Sequence, residues 1–157
     1  MMQNTLAELQ SKDHIASFEE NNPDYYLANL FIPDYGSSGI ELGYYNDDQD
    51  TMITVTDDGD ISDDQDILKS GKAINKLNVT EDTLTFDEAL NHARAAFDIE
   101  EGFQRIMGVL QTRDQTEWNI TLITKSFNVF NARVNAETGD VLSTGEDDVM
   151  SWIQSME

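Results

Sequence analysis

The order of helical and strand-length segments is the feature that most restricts how this chain can fold. A helical segment near the start is followed by three short alternating or apolar runs, and a second helical segment is followed by four more. Runs of this length separated by turn residues are typical of antiparallel strands. The sequence therefore predicts an α+β protein in which helices pack on antiparallel β-meander sheets, arranged as two similar helix-plus-sheet units.

Two Thr-x-x-Glu segments mark the predicted helix starts. Residues Thr5–Glu8 and Thr85–Glu88 each fit a capping box, in which the threonine hydroxyl accepts from an amide one turn on and the glutamate accepts from the threonine amide. The first helical segment is predicted to end before Pro23. The second carries Leu90, Ala93 and other apolar residues at helical spacing, which indicates one buried face.

Strand-length runs account for most of the rest. They are predicted at residues 25–32, 40–44, 53–56, 103–111, 118–122, 127–136 and 141–142. Thr144 is then predicted to cap a short C-terminal helix. Its apolar positions fall on one stripe and are Val149, Trp152, Ile153 and Met156.

The two predicted units divide the chain near its middle. Residues 1–78 form an N-terminal acidic helix-plus-meander unit, and residues 79–157 form a second unit that ends in the amphipathic helix. Residues 55–61 match 134–141 and residues 40–42 match 118–120 in pattern. These matches predict an internal duplication.

Acidic residues outnumber basic ones by 31 to 9, for a net charge of -22. The excess is uneven, because the stretch between Lys12 and Lys69 carries fifteen acids and no base. Binding to phosphates requires clustered lysine and arginine. The charge therefore argues against direct contact with nucleic acid and against binding to an anionic membrane surface.

Halophilic adaptation is the favoured interpretation of this charge. Aspartate exceeds glutamate by 19 to 12 and there are only 5 lysines, which fits a surface of short hydrated carboxylates. In molar salt the Debye length falls to about 3 Å, so the self-repulsion of such a surface is screened. We therefore expect the fold to require high K⁺ or Na⁺. An alternative is an acidic DNA mimic that inhibits a nucleic-acid-binding enzyme by imitating phosphate spacing.

A cation site is the third interpretation of the acidic run. Three Asp-Asp-x-Asp copies flank one predicted strand, and carboxylates that converge at its ends could hold Ca²⁺. The candidate metal ligands are Asp57, Asp58, Asp60, Asp63 and Asp64. No EF-hand register fits this stretch.

No catalytic constellation is found in the sequence. There is no cysteine, and the two histidines, His14 and His92, fall in predicted helices without a serine that can be paired with them. The loop at 36–39 lacks the spacing of a nucleophile elbow. We therefore expect a protein that is not an enzyme and that needs no cofactor. The N-terminus has no basic region followed by an apolar one, so a cytoplasmic location is expected.

The second half resembles a PepSY-type domain. The resemblance spans residues 85–142 and depends on the capped helix at 85–90, the Trp-led strand at 118–122 and the hairpin at 132–142, in which Asn135 replaces the family's usual aspartate. The first half would be a diverged copy. The resemblance implies a cystatin-like, non-catalytic binding or inhibitory module, with peptidase regulation as the usual role. Together with the strand pattern, it predicts binding of a protein or peptide through a sheet face or edge.

Overall fold

The computed structural model describes residues 2–37, 39–62, 65–66 and 74–148. Within these ranges the helices are α1 (Met2–Gln10), α2 (Asp13–Asn21) and α3 (Phe86–Ala95). The strands are β1 (Tyr26–Ile32), β2 (Glu41–Asn46), β3 (Thr51–Thr56), β4 (Gln65–Asp66), β5 (Phe103–Thr112), β6 (Thr116–Thr124), β7 (Asn128–Asn135) and β8 (Val141–Asp148). Every pair of neighbouring strands is antiparallel, so the predicted α+β class with an antiparallel sheet is confirmed. In the described part of the chain, no helix is long and apolar enough to cross a membrane.

A single sheet contains all eight strands in the order β4-β3-β2-β1-β5-β6-β7-β8. Strands β1 and β5, the first of each half, pair at its centre, where Leu30 lies opposite Leu110. From this central pair each half runs outward as a meander. The sheet is thus continuous across the predicted boundary between residues 78 and 79, and the division into two domains stays a prediction.

A row of buried side chains crosses the sheet and forms the centre of the core. Its members face one another on six successive strands, each is at most 1% exposed, and they are Val55, Leu42, Leu30, Leu110, Trp118 and Val134. The helices cover this side of the sheet, with Ile15 and Phe18 of α2 and Phe86 and Leu90 of α3 in the same core cluster. Burial of each such side chain contributes about 1.5–3 kcal/mol.

One of the two predicted capping boxes is present. The hydroxyl of Thr85 accepts from the amide of Glu88 at 3.3 Å, and the Glu88 carboxylate accepts from the Thr85 amide at 3.0 Å. The prediction at Thr5–Glu8 is wrong, because α1 begins at Met2 and Thr5 lies inside it. Met2 is only 3% exposed, so its burial in the core extends the helix toward the N-terminus.

The helix start predicted at Thr144 is also wrong. Thr144 lies within β8 and pairs with Ala132 of β7. The turn after β7 brings the chain back along the edge of β7, and antiparallel backbone hydrogen bonds then continue along that edge. The apolar stripe predicted at residues 149–156 lies outside the described residues.

Candidate functional site

The side of the sheet opposite the helices carries the candidate site. Successive side chains of a strand point to opposite faces, so each residue next to a core position faces away from the helices. One row on this side crosses seven strands and consists of Thr56, Glu41, Phe31, Val109, Asn119, Arg133 and Ser143. None of the described helices covers this surface, which we call the open face.

A groove of about 370 Å³ lies on the first half of the open face. Its residues come from β1, β2, β3 and β5 and are Asn29, Phe31, Glu41, Gly43, Met52, Thr54 and Val109. Glycine at position 43 leaves room for the Asn29 amide, since a Cβ there would collide with the Asn29 side chain. The apolar part of the groove is formed by Phe31, Met52 and Val109. We call it the open-face groove.

Glu41 is the charged group of the open-face groove. It lies on β2 between Phe31 of β1 and Thr56 of β3, and it is half-buried. Among the described residues its carboxylate has no hydrogen-bond or ion-pair partner. The groove therefore combines apolar walls with a carboxylate that is available to a ligand.

The second half of the open face carries a buried ion pair. Glu117 is fully buried (0% exposed), and Arg133 donates to both of its oxygens, from Nε at 3.0 Å and from Nη2 at 2.7 Å. Gln115 donates a further hydrogen bond at 3.2 Å, and Arg113 Nε lies 3.6 Å from Oε1. Such a two-point contact between guanidinium and carboxylate is stronger than a neutral hydrogen bond.

The electrostatics of this pair follow from its geometry. Burial by itself raises the pKa of the Glu117 carboxyl, but the hydrogen bond and charge of Arg133, with the charge of Arg113, outweigh burial and hold that pKa below its usual value. The hydrogen bond to Glu117 also raises the pKa of Arg133. Both groups are therefore ionised at neutral pH.

A hydrogen-bonded amide group lies beside the ion pair. Asn131 Nδ2 donates to Asn119 Oδ1 at 2.6 Å and to Thr121 Oγ1 at 3.1 Å. With Glu117 and Arg133, these side chains form hydrogen-bonded polar groups on the second half of the open face, next to apolar side chains of β5, β6 and β7 on the same side of the sheet. The chemistry of the two halves therefore differs on the same side of one sheet.

Strand pairing relates the positions of the two halves. Counting outward from the central pair, Leu42 faces Leu30 just as Trp118 faces Leu110, and the next strand brings Val55 and Val134 to equivalent positions. The predicted match of residues 40–42 with 118–120 is therefore wrong by two residues, since Leu42 corresponds to Trp118 and not to Ile120.

The same count relates the open-face groove to the ion pair. Glu41 takes the position of Glu117, Thr54 takes that of Arg133, and Gly43 takes that of Asn119. The first half thus keeps the carboxylate but has a short hydroxyl where the second half has a guanidinium.

The structure places three of the five predicted metal ligands in one turn. Asp57, Asp58 and Asp60 follow β3, around Gly59 at a φ of +107°. Among the described residues no group of three or more ligand-type side chains is arranged to hold a metal ion. Asp63 and Asp64 lie outside the described residues, so the complete five-carboxylate site stays a prediction.

This acidic turn is attached to helix α2. Lys12 Nζ donates to the Asp57 carbonyl at 3.3 Å, and His14 Nε2 donates to the Thr56 carbonyl at 3.0 Å. The predicted helical positions of both histidines are confirmed, since His14 lies in α2 and His92 in α3. His14 has a structural contact here.

A second cavity, of about 280 Å³, lies on the helix side. It opens between the start of α1, the loop after β1 and the start of α3, and its floor is formed by core residues that include Leu30, Phe86 and Trp118. Among its described lining residues only Asp87 is charged, and it is exposed in the first turn of α3. This cavity is largely a gap between packed elements.

Among the comparisons with known proteins, only the one with solved structures finds a similar protein. No protein-family model matches it, and no curated protein matches its sequence. The crystal structure of a predicted lipoprotein from Clostridium difficile 630 is similar, with a TM-score of 0.57 and 18% sequence identity over 86% of this chain and 91% of that chain. At this identity the likeness concerns the fold alone.

Inspection of the sequence missed the groove and the ion pair. Both depend on which residues face each other on neighbouring strands, and Glu117 and Arg133 are sixteen residues apart. One signal was available: Glu117 precedes Trp118 in an alternating strand, so it had to point away from the core. A charged residue that is fully buried, as Glu117 is, requires a partner.

Proposed function

We propose that this protein is a non-catalytic module that binds a protein or peptide through the open face, at the open-face groove. The observation that carries the proposal is the groove itself, whose lining includes Phe31, Met52 and Val109 together with Glu41, a carboxylate without a partner among the described residues. Interfaces typically combine a small apolar centre with polar groups that fix orientation. A groove of about 370 Å³ is large enough for one or two side chains of a partner.

The charge of the chain favours a basic partner. In the high salt that this surface of net charge -22 is expected to require, long-range attraction is screened, so charge selects a partner mainly at direct contacts. Glu41 brings this preference into the groove. The partner we propose is therefore a protein or peptide with positive charge next to an apolar side chain.

A PepSY-like architecture with an internal duplication is part of the proposal. Matching backbone hydrogen bonds support it: the Asp57 amide donates to the Ile40 carbonyl at 3.0 Å, and at the equivalent positions the Ala136 amide donates to the Thr116 carbonyl at 2.9 Å. The following turns both contain a glycine at positive φ, which stands one residue later in the second turn. On this proposal, each half derives from one helix-plus-meander ancestor.

The turn glycines have similar surroundings as well. Gly59 lies against His14 of α2, and Gly139 lies against His92 of α3. Their amides donate to the carbonyls of Thr56 at 3.2 Å and of Asn135 at 2.9 Å, which are also equivalent positions. Agreement of strand register and of the helix contact at each turn glycine favours duplication over two unrelated meanders.

A halophile-adapted acidic surface completes the proposal. Both described salt bridges end on Glu117, so most of the described acids depend on water and counterions for stabilisation. We expect the circular dichroism signal of the folded chain to be lost below about 0.5 M salt and to recover equally in KCl and NaCl. Recovery at low salt with millimolar Ca²⁺ alone would contradict this and favour the predicted cation site.

Selection from a displayed library of random twelve-residue peptides tests the binding proposal. The immobilised full chain, in salt that keeps it folded, is expected to enrich peptides that bind the open face. Val109→Lys places a long cationic side chain in the groove and should abolish their binding. Asn91→Lys, an equal charge change at an exposed position on α3, should leave it intact.

Two results would contradict the binding proposal. One is a selection that enriches nothing. The other is binding that Val109→Lys and Asn91→Lys affect equally. The mimicry alternative is tested in parallel with a basic protein that binds double-stranded DNA. Mimicry is disfavoured if DNA does not compete with this chain for that protein, even where the selected peptides bind the acidic turn at Asp57–Asp60. Displacement of DNA from the basic protein by this chain would favour mimicry.

A further inference from the structure

The ion pair in the second half of the open face indicates what the first half lacks. Glu117 and Arg133 lie diagonally across β6 and β7, and the guanidinium donates to both carboxylate oxygens. Glu41 and Thr54 occupy the same diagonal across β2 and β3. The first half therefore has the acceptor of this pair, and the donor position holds a side chain too short to reach it.

From this relation we infer that the open-face groove takes an arginine side chain of the partner, which pairs with Glu41 as Arg133 pairs with Glu117. The inference rests on the proposed function and specifies its ligand chemistry. Thr54 lines the groove, and its short side chain leaves space there. A guanidinium that enters this space from outside meets the Glu41 carboxylate on the same side as Arg133 meets Glu117.

The groove lining also suits the rest of an arginine side chain. Met52 and Val109 offer apolar surface to its three methylene groups. Phe31 is next to Glu41 on the neighbouring strand, and an aromatic ring there can accept a guanidinium on its face. The equivalent position in the second half is Gln111, which has no such ring. The first half is thus more apolar around its carboxylate.

Arginine fits this arrangement better than lysine. The planar guanidinium donates two parallel hydrogen bonds to one carboxylate and stacks on aromatic rings, whereas the ammonium of lysine is a compact, strongly hydrated charge. Glu117 with Arg133 provides the two-point geometry within the same sheet. A partner with lysine at this place should bind more weakly.

The first test is made without any partner. Thr54→Arg installs the missing donor in the same chain, and by the geometry of the second half it should pair with Glu41. We expect Thr54→Arg to raise the urea midpoint when Glu41 is present and to leave it unchanged or lower it in the Glu41→Gln background. Equal effects in the two backgrounds would overturn the geometrical basis of the inference.

The second test uses the peptides selected by binding to the open face. The strongest binder is synthesised with its arginine and with citrulline, a neutral group of the same shape. We expect the citrulline peptide to bind the wild-type chain at least tenfold more weakly than the arginine peptide. For the Glu41→Gln variant, the affinities of the two peptides should differ less than threefold. Thr54→Arg should abolish binding of the arginine peptide because its own guanidinium occupies the groove.

The outcomes separate the two proposals. Peptides that lose binding with Val109→Lys but contain no arginine, or that bind equally well with citrulline, would overturn the arginine assignment and leave the binding proposal intact. Peptides whose binding Val109→Lys does not weaken, or a selection that enriches no peptides, would overturn the binding proposal and the inference with it.

Discussion

The two halves of the open face carry different side chains at corresponding strand positions. In the second half the carboxylate of Glu117 is buried and satisfied by Arg133, and neighbouring amides bind one another. In the first half Glu41 stands beside a groove, with Thr54 and Gly43 in place of the larger side chains. The difference shows that short residues at these positions leave a groove where larger side chains close the surface, while one row of buried side chains continues through both halves.

The largest effects are expected in the core row that the halves share. Trp118→Ala should reduce the free energy of unfolding by about 4 kcal/mol, and Leu42→Ala, at the equivalent position, by about 3 kcal/mol, because both side chains are buried to 1% or less. Urea unfolding followed by circular dichroism measures both. Each variant should shift one common transition. Two transitions, each sensitive to one substitution, would mean that the halves unfold independently.

The next largest change in stability is expected at Arg133, in comparison with Thr54 at the corresponding position of the first half. Arg133→Met should lower the free energy of unfolding by about 3 kcal/mol, since it leaves the buried Glu117 carboxylate without its main partner. Thr54→Met changes a residue without a charged partner and should alter stability by no more than about 0.5 kcal/mol. Comparable urea midpoints for the two variants would show that the ion pair contributes little.

The pH dependence of the free energy of unfolding tests the ion pair of Glu117 and Arg133 in a different way. At pH 7, Glu117→Gln should be less stable than the wild-type chain by about 2 kcal/mol, the usual value of hydrogen bonds to a charged group. The pKa of Glu117 is lowered in the folded state, so its contribution is complete above the unfolded value of about 4.3 and is lost as the pH falls through the folded value. The stability gap should therefore narrow below about pH 4.

Unfolding curves at a series of pH values measure this gap. Glu41→Gln is the matched variant in the first half, and at pH 7 it should differ from the wild-type chain by no more than about 0.5 kcal/mol, because no ion pair is lost among the described residues. A gap for Glu117→Gln that widens toward low pH would contradict the lowered pKa.

A smaller loss of stability than at the core row or the ion pair is expected at the two turn glycines. Both Gly59→Ala and Gly139→Ala place a Cβ at positive φ, at +107° and +82°, which should cost about 1 kcal/mol each. At Gly139 the new Cβ would also lie 2.5 Å from His92 Nε2, against 3.9 Å from His14 Cγ at Gly59. The exposed His92 ring can rotate away, so the added cost should be about 0.5 kcal/mol.

A double substitution isolates this contact. Removal of the ring with His92→Ala should make Gly139→Ala and Gly59→Ala equally costly in thermal unfolding. A difference that persists without the ring would place its origin in the backbone of the turn.

Much of the fold was predictable from the sequence, because local patterns determine it. The alternation of Trp118, Ile120 and Leu122 identifies β6, and the Thr85 capping box identifies the start of α3. The start of α1 was not predictable in this way, since burial of Met2 outweighs the cap pattern at Thr5. Local propensity predicts where an element can begin, and packing decides where it does begin.

The candidate site was much less predictable than the fold. Its chemistry depends on register, which brings Glu41 beside Phe31 and leaves Thr54 diagonal to it. No periodicity within one strand shows which residue faces it on the next. The acidic stretch between Lys12 and Lys69 suggested functions that depend on charge density, whereas the open-face groove depends on a single carboxylate among apolar residues.

The pairing of β1 with β5 has a consequence for how copies of this chain can associate. These strands bring together residues as distant as Leu30 and Leu110, and each would be an unprotected sheet edge if the halves came apart. The same backbone hydrogen bonds can form between β1 of one molecule and β5 of another, which would give a dimer by exchange of halves. Concentrated refolding should therefore trap such dimers, whereas dilute refolding should yield monomers.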